Sequence, residues 1–480
     1  MSSSSSSPSL LSSSSSSLNN IDDYARQVTP LSCEREPIHI VNRIQPCGTL
    51  LVVDSNLQIV QCSTNAVDMM LPEEKKKLLF ELTKNYYTEE GEENYNDNNN
   101  DLIVTPHDDD GNNNDGSSSV EEKRARLQLL LDAIIGAPLS LLLQVEAVDQ
   151  VRAVVRGASA SLSSSSSKNT NDGNNQHQQG SDGSSSSGNN NNNNNNITDK
   201  GAVRTFLIRT QGALSIGRKS CGITQSGEHF LLEIEDSDLH AGTNNIGGGS
   251  STTSTQQQQQ QQAAAAAAAA ANAAEGEEDT MLFMQSIAHD LRKCWSIEEM
   301  AGLVCSRIMS ETPYDRGMVY RFDPSDDSGE VIYETTRWDA RRCCREDSFL
   351  GLRFPASDIP RQARELFMKN TLRFVYDVQG KDYGLYPSKI SGGMMGGGGE
   401  ESEKYTDLSM CRLRGSSYIH LEYLRNMQVT SSLVIAIIVN KRLWGLYSFH
   451  GYRHPIRPSA RTRFLCEMAS VMTCEYHIYV

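Results

Sequence analysis

Apolar positions fall into two blocks, separated by stretches that contain almost none. In the first block, Ile38-His39-Ile40 opens an extended run that turns at Pro46 and Gly48 and resumes as Thr49-Leu50-Leu51-Val52-Val53-Asp54. Asp54-Ser55-Asn56 has the composition of a turn, and Leu57-Gln58-Ile59-Val60-Gln61-Cys62 alternates with the two-residue period of a strand. Over residues 119–156 the period lengthens, and Leu127, Leu130, Leu131, Ile134 and Ile135 follow Val120-Glu121-Glu122 at helical spacing. Residues 202–218 and 227–235 read again as strands. The order strand–strand–helix–strand–strand predicts an α+β unit on a mostly antiparallel sheet.

The second block, 279–480, predicts another α+β unit. Residues Asp279 to Ser310 read as one or two helices, with Leu282, Phe283, Ile287 and Leu291 on one face. Strands are expected at Arg316–Phe322 and Gly329–Thr336, followed by a helix over about 359–370. Ser431–Val439 and Leu443–Gly451, separated by Asn440-Lys441-Arg442, read as a hairpin. A last helix starts near Ser459, and the Gly- and Met-rich patch 392–399 reads as a loop insertion.

Low-complexity segments set the domain limits. A disordered Ser-rich tail is expected over 1–20, and a first domain over 21–240 carries insertions at about 91–116 and 161–200. A Gln/Ala-rich linker spans 241–278 and a second domain spans 279–480. The Ala run 263–271 has helical propensity but no apolar face to bury. Hydrophobic residues make up 38% of the chain, against about 45–50% (counted with Gly) for globular domains. These segments account for the deficit.

The net charge of −16, from 60 acidic and 44 basic residues, argues against nucleic acid or an anionic membrane as the main partner. No run reaches the ~20 apolar residues of a membrane span. No basic region precedes the short Ser9-Leu10-Leu11 stretch, so a secretory signal is not expected. The 11 cysteines are odd in number and form no C-x-x-C pair. That argues against a disulfide framework or zinc ribbon and favours reduced thiols in the cytoplasm or nucleus.

Cys33-Glu34-Arg35-Glu36-Pro37-Ile38-His39-Ile40, followed by Ile44-Gln45-Pro46, resembles the start of the PAS domain in bacterial and fungal-type phytochromes. Phe354-Pro355-Ala356-Ser357-Asp358-Ile359-Pro360 resembles the signature of the family's GAF domain. So do Ile419-His420-Leu421-Glu422-Tyr423-Leu424-Arg425-Asn426-Met427 and Leu443-Trp444-Gly445-Leu446. The resemblance implies a two-domain PAS–GAF photosensory core for red and far-red light. In that core an N-terminal arm threads through a GAF loop, here between about 378 and 425, with Ile44 inside it.

The same resemblance implies a linear tetrapyrrole held through named residues. Cys33 matches the thiol that attaches biliverdin. Asp358, with Ile359 and Pro360, matches the segment whose carbonyl faces the pyrrole nitrogens. On its own residues, Asp-Ile-Pro reads as a turn with Asp capping the next helix and Pro in its first turn. His420 matches the histidine near rings B and C, and His450 the one at the D-ring carbonyl. Arg373 and Arg414 match the propionate clamps, a task that suits the guanidinium fork. Ser417 and Ser432 would add hydroxyl donors, and Tyr320, Phe354 and Tyr423 would surround the rotating D ring. Ile419 stands where plant and cyanobacterial relatives have their attachment cysteine, and Cys411 lies nine residues before His420. Biliverdin is therefore implied, rather than phycocyanobilin or phytochromobilin.

Some positions depart from the family pattern. Cys47, which stands where the family has His, is a rival for attachment, and Phe449 and Gly451 replace the usual Cys and second His. The family continues into a PHY domain and an output region, so the expected partners are such a region or a separate signalling protein, and a second copy in a homodimer. His289-Asp290-Leu291-Arg292 has a faint likeness to a phosphoacceptor helix but lies before the GAF domain. No nucleophile motif with structural context points to an enzyme. The alternative reading is a PAS–GAF module without photochemistry that binds another ligand or a protein.

Overall fold

The computed structural model describes residues 36–89, 120–166, 204–208, 219–236, 279–337, 348–391 and 403–476. Cys33, the tail 1–20, the segment 91–116, the linker 241–278 and the patch 392–399 lie outside them.

The first unit runs β1 (Arg43–Ile44), β2 (Thr49–Val53), β3 (Ile59–Ser63), α1 (Ala66–Met70), α2 (Glu73–Glu89), α3 (Val120–Ile134), α4 (Val145–Ser166), β4 (Arg204–Ile208), β5 (Lys219–Ser226) and β6 (His229–Asp236). The second runs α5 (279–291), α6 (Ile297–Glu311), β7 (Arg316–Phe322), β8 (Gly329–Thr336), β9 (Arg353–Phe354), α7 (Arg361–Lys369), β10 (Leu372–Val375), β11 (Tyr383–Tyr386), β12 (Ile390–Ser391), β13 (Glu403–Lys404), α8 (Tyr418–Asn426), β14 (Ser431–Val439), β15 (Arg442–Gly451) and α9 (Ala460–Tyr476). This is an α+β chain with two principal antiparallel sheets. The six-stranded sheet has the order β10-β14-β15-β7-β8-β9, and the seven-stranded sheet β1-β11-β3-β2-β6-β5-β4.

The seven-stranded sheet draws strands from both units. β11, from the loop that follows β10, pairs with β3 through Leu385–Ser63 and Tyr386–Cys62, and on its other edge with β1. The arm then meets the far limb of the same loop: Leu408 N–H donates to His39 O at 2.7 Å, Gln45 N–H to Leu413 O at 2.7 Å, and Gly415 N–H to Arg43 O at 2.8 Å. The arm thus threads between the two limbs, with Ile44 fully buried and bridged to Arg414.

Strand period decides which faces are buried. Along β7, β14 and β15, Val319, Leu433, Ile435, Ile437, Tyr447 and Phe449 join the core formed with Met300, Val304 and Ile308 of α6 and Cys466 and Ala469 of α9. The intervening residues point the other way. α6 starts at Ser296, whose hydroxyl accepts the Glu299 N–H at 3.1 Å, while Glu299 reaches back to the Trp295 N–H at 2.7 Å.

The structure departs from the sequence reading at several places. Residues 38–40 form a turn, stapled by Ile40 N–H to Pro37 O at 3.0 Å, and the first strand begins at Arg43. The helix expected over 119–156 is two, because Gly136 takes φ +79° and Pro138 follows it. The second of these helices continues to Ser166, into the segment expected to be an insertion. Leu282 is 56% exposed. The buried seam of α5 is Ile287 and Leu291, and Leu282 lies five residues from Ile287, about 140° round the helix. The two-residue turn of the β14–β15 hairpin is Asn440-Lys441, both at positive φ.

A buried ion pair joins the units: Arg463 of α9 donates to both Glu235 oxygens of β6, at 2.9 and 3.0 Å. Arg463→Ala leaves that carboxylate buried without its partner and is expected to cost about 3–5 kcal/mol, whereas Arg463→Met with Glu235→Leu should cost far less. Thermal unfolding of both variants checks this, and equal losses would refute it.

Candidate functional site

The outward face of the six-stranded sheet carries the candidate site. In register across it lie Val375, Ser432, His450 and Arg316, one per strand from β10 to β7. A parallel row further along aligns Ala436, Leu446 and Tyr320. Alternation therefore places His450, Ser432 and Arg373 toward one end of this face and Tyr320 toward the other.

The Tyr320 end is apolar. Its ring lies 6.1 Å from Phe354 and 5.2 Å from Phe322, and Ile359 packs on the same cluster. Gly329 makes room for that ring, since a Cβ there would lie 2.0–2.3 Å from Tyr320 atoms. Asp358 ends a turn in which its N–H donates to Pro355 O at 3.1 Å, and Arg364 fixes the turn by donating to Ile359 O at 2.6 Å. Pro360, extended at φ −64° and ψ 160°, is the last residue before α7. It replaces Asp358 as the cap, because the first helical N–H groups donate to its carbonyl. Asp358 is exposed, and its carboxyl is raised by partial burial. It lies near enough to Tyr320 and Tyr423 to raise both phenols, that of Tyr320 to about 12, after burial as the larger cause.

The other end is cationic. Arg373, on β10, donates to Ser416 Oγ at 2.7 Å and Gly415 O at 3.0 Å. Arg414 donates to Ile38 O of the arm, and its buried Nε has no partner. Burial lowers both guanidinium pKa values, Arg373 to about 10, and Arg373 further lowers Arg414. Gln45 ties the arm to this end, donating to Phe374 O at 3.0 Å and accepting the Tyr376 N–H at 2.7 Å.

Two histidines complete the site. His450 is buried, shares a 3.3 Å hydrogen bond with Ser448 Oγ through Nε2, and has an unpartnered Nδ1. Burial, then the Arg316 guanidinium, then His420 push it down to about 3. His420 sits in the first turn of α8, its ring centroid 6.5 Å from that of Tyr423. It is solvent-accessible, yet burial is the leading cause of a pKa near 4, with Arg373 and Arg414 adding to it. Both observations hold if its accessible edge faces a concavity. Its neighbours place it between the arginines and His450.

Two of the residues singled out in the sequence have other surroundings. Ser417 caps α8 and donates to buried Glu36 at 2.5 Å, so its hydroxyl is already engaged. Cys47 has its thiol pushed up to about 12, mainly by burial, which disfavours the nucleophilic thiolate. Sequence reasoning missed Arg43, Glu36, Asp382 and Arg316. Glu36, inside the motif that begins at Cys33, and Arg43, adjacent to Ile44, had neighbours that pointed to them. Among the described residues no cluster could hold a metal ion, and His289 is exposed while Asp290 pairs with Lys293 and Arg307.

A family profile described as a PAS fold matches residues 33–91. Two curated relatives are bacteriophytochromes. The one from Pseudomonas aeruginosa is 42% identical over 147 residues, covering 31% of this chain and 18% of that protein. The one from Xanthomonas campestris is 38% identical over 174 residues, covering 36% and 24%. Cyanobacterial phytochrome B of Nostoc is 35% identical over 175 residues, covering 36% and 21%. The aligned part therefore spans about a fifth of these relatives. Among solved structures, the chromophore-binding domain of the R. palustris bacteriophytochrome RpBphP3 aligns over 92% of this chain and 97% of its own, with TM-score 0.57 and 19% identity. That of a Stigmatella aurantiaca phytochrome aligns over 92% and 98%, with TM-score 0.54 and 22% identity. At these identities the structural likeness establishes the fold.

Because His450 titrates near 3 when folded and near 6.5 when free, the unfolded chain binds the extra proton between those values. Acidification through that window therefore weakens the fold by up to about 1.4 kcal/mol per pH unit for this one group. His450→Asn should flatten the pH dependence of apoprotein stability between about pH 6 and 4 by that slope, measured by denaturant unfolding. An unchanged slope would show that His450 stays accessible to protons.

Proposed function

We propose, from the premise that the chain belongs to the phytochrome family in sequence and fold, that it is a red/far-red photosensory module holding biliverdin. The observation that carries this reading is the set of buried, unpartnered polar atoms at the candidate site: Arg414 Nε, His450 Nδ1 and the Tyr320 hydroxyl. Each is costly in a protein interior unless something supplies its hydrogen bond. A linear tetrapyrrole, with carboxylates, pyrrole N–H groups and ring carbonyls along one flat apolar body, matches that set.

When bound, the bilin supplies a conjugated system that absorbs red light and rotates about the bond between rings C and D. The protein's part is positioning. Arg373 and Arg414 would hold the propionates, and the Asp358–Pro360 turn would serve the pyrrole nitrogens. His420 would serve the inner rings, and His450, neutral and with Nδ1 available, would serve the terminal ring. Tyr320, Phe354 and Tyr423 shape the space in which that ring turns. Ser432, directly opposite His450, supports it from β14.

Cys33 is the proposed attachment site: its thiol would add across a vinyl group, the S–H bond and the C=C π bond giving way to one C–S and one C–H bond. Glu36 is anchored on Ser417 at the start of α8. The sensory role is that of a receptor, and its output would pass to a partner protein or to a PHY and output region of the kind longer relatives carry. A homodimer would use the exposed stripe Phe464, Met468 and Val471 of α9 beside Met281 and Leu282 of α5. No helix among the described residues is long and apolar enough to cross a membrane.

Purified protein mixed with biliverdin should show a sharp red band that shifts under red light, with pigment retained after acid denaturation. Cys33→Ala should keep the band and lose the retention. A band without a light-driven shift would favour a binding module lacking photochemistry, and no band at all would refute the bilin reading.

A further inference from the structure

Asp382 plays no part in the reading above, yet it is buried at the cationic end of the site, its side chain 14% exposed. The Nε of Arg43, in the arm, donates to its Oδ2 at 3.2 Å, and the Ser416 N–H also donates to it. A Cβ on Gly415 would lie 2.5 Å from the same oxygen, so the backbone closes tightly over it. Arg43 is itself fixed, donating to Ser416 O at 2.6 Å and lying 4.1 Å over the Tyr418 ring. The cations that act on Asp382 are Arg43 from the arm and Arg373 from β10, with Glu36 acting on Arg43 from beyond. For Arg373, Asp382 is the leading favourable counter-charge, while Arg414 lies within repulsive range of it.

We propose that Asp382 is the resident counter-ion of Arg373, beside which Arg414 has Asp407 as its own carboxylate counter-charge, and that it makes capture of a dicarboxylate tetrapyrrole proton-linked. A ligand carboxylate settling beside the arginines puts a second anion near Arg373, and Asp382 takes up one proton from solvent, so the charge beside the arginines is unchanged. This rests on the bilin reading of the site. The geometry supplies what the exchange needs: a carboxylate held from two sides whether or not it is ionised, next to a guanidinium that a ligand carboxylate can take over. Burial already raises the Asp382 carboxyl to about 6, within reach of neutral pH.

The test is reversible binding of biliverdin to the Cys33→Ala chain, followed by absorbance. Between about pH 7.5 and about pH 5.5 the affinity should rise about tenfold, as uptake of one proton permits. Asp382→Asn should abolish most of that rise, and Asp382→Glu should restore it. Biliverdin dimethyl ester, which has no carboxylates, should show no such rise with Asp382 in place. A full rise in Asp382→Asn would overturn the proposal. So would an equal rise with the dimethyl ester, a comparison that decides the matter even if the Asn variant fails to fold. If biliverdin binds neither the parent nor the Cys33→Ala chain at any pH, the bilin reading itself falls and takes this proposal with it.

Discussion

The arginine side of the site depends on the backbone of the arm, residues 36–45. That end is built from the loop segment 403–417 and the edge strand β10, and the arm is what joins them. Its carbonyls and N–H groups bond both limbs of the loop, the Gln45 amide bonds the edge of β10, and Ile38 O receives Arg414. Backbone hydrogen bonds buried in this way resist loss, because each broken one leaves an unsatisfied group away from water. Of the two cations, Arg373 stands on β10 and Arg414 on the loop, and that loop gains the definition of a sheet by pairing β11 between β1 and β3.

The sheet face of the site obeys a simpler rule. A half-buried strand sends alternate residues to opposite faces, so one set of apolar positions fixes β7, β14 and β15 on α6 and α9 and leaves the other set free for chemistry. His450, Ser432 and Tyr320 keep their places because Phe449, Leu433 and Val319 keep theirs. A one-residue slip in β15 would bury Phe449 in the site and turn His450 into the core. The hairpin turn at Asn440-Lys441 sets the register against such a slip.

This contrast explains what the sequence disclosed. The strands of the second sheet were legible because their period and hairpin are local properties, and Arg316–Phe322 and Gly329–Thr336 lie where the pattern put them. Residues matched to family motifs (Asp358, His420, His450 and the two arginines) do converge on one face of the fold. The turn at Pro37, the glycine break after α3 and the off-seam position of Leu282 had local causes that a coarse reading of apolar residues passes over. Arg43 and Asp382 are another matter. They are 339 residues apart in sequence, and their pairing follows only from the path of the arm through the loop. No periodicity encodes a contact of that kind.

The charge layout has its own consequence. Both histidines are held well below neutrality by burial and by the neighbouring guanidinium groups, so at neutral pH the positive charge at this face rests on arginines. Arg373 and Arg414 lie at one end, while the Tyr320–Phe354 end offers aromatic surface. A long ligand with carboxylates on one part and an apolar ring on another meets a field that favours one orientation and opposes the reverse, since turning it round would bury carboxylates against aromatic rings. Electrostatics would therefore decide the orientation of such a ligand.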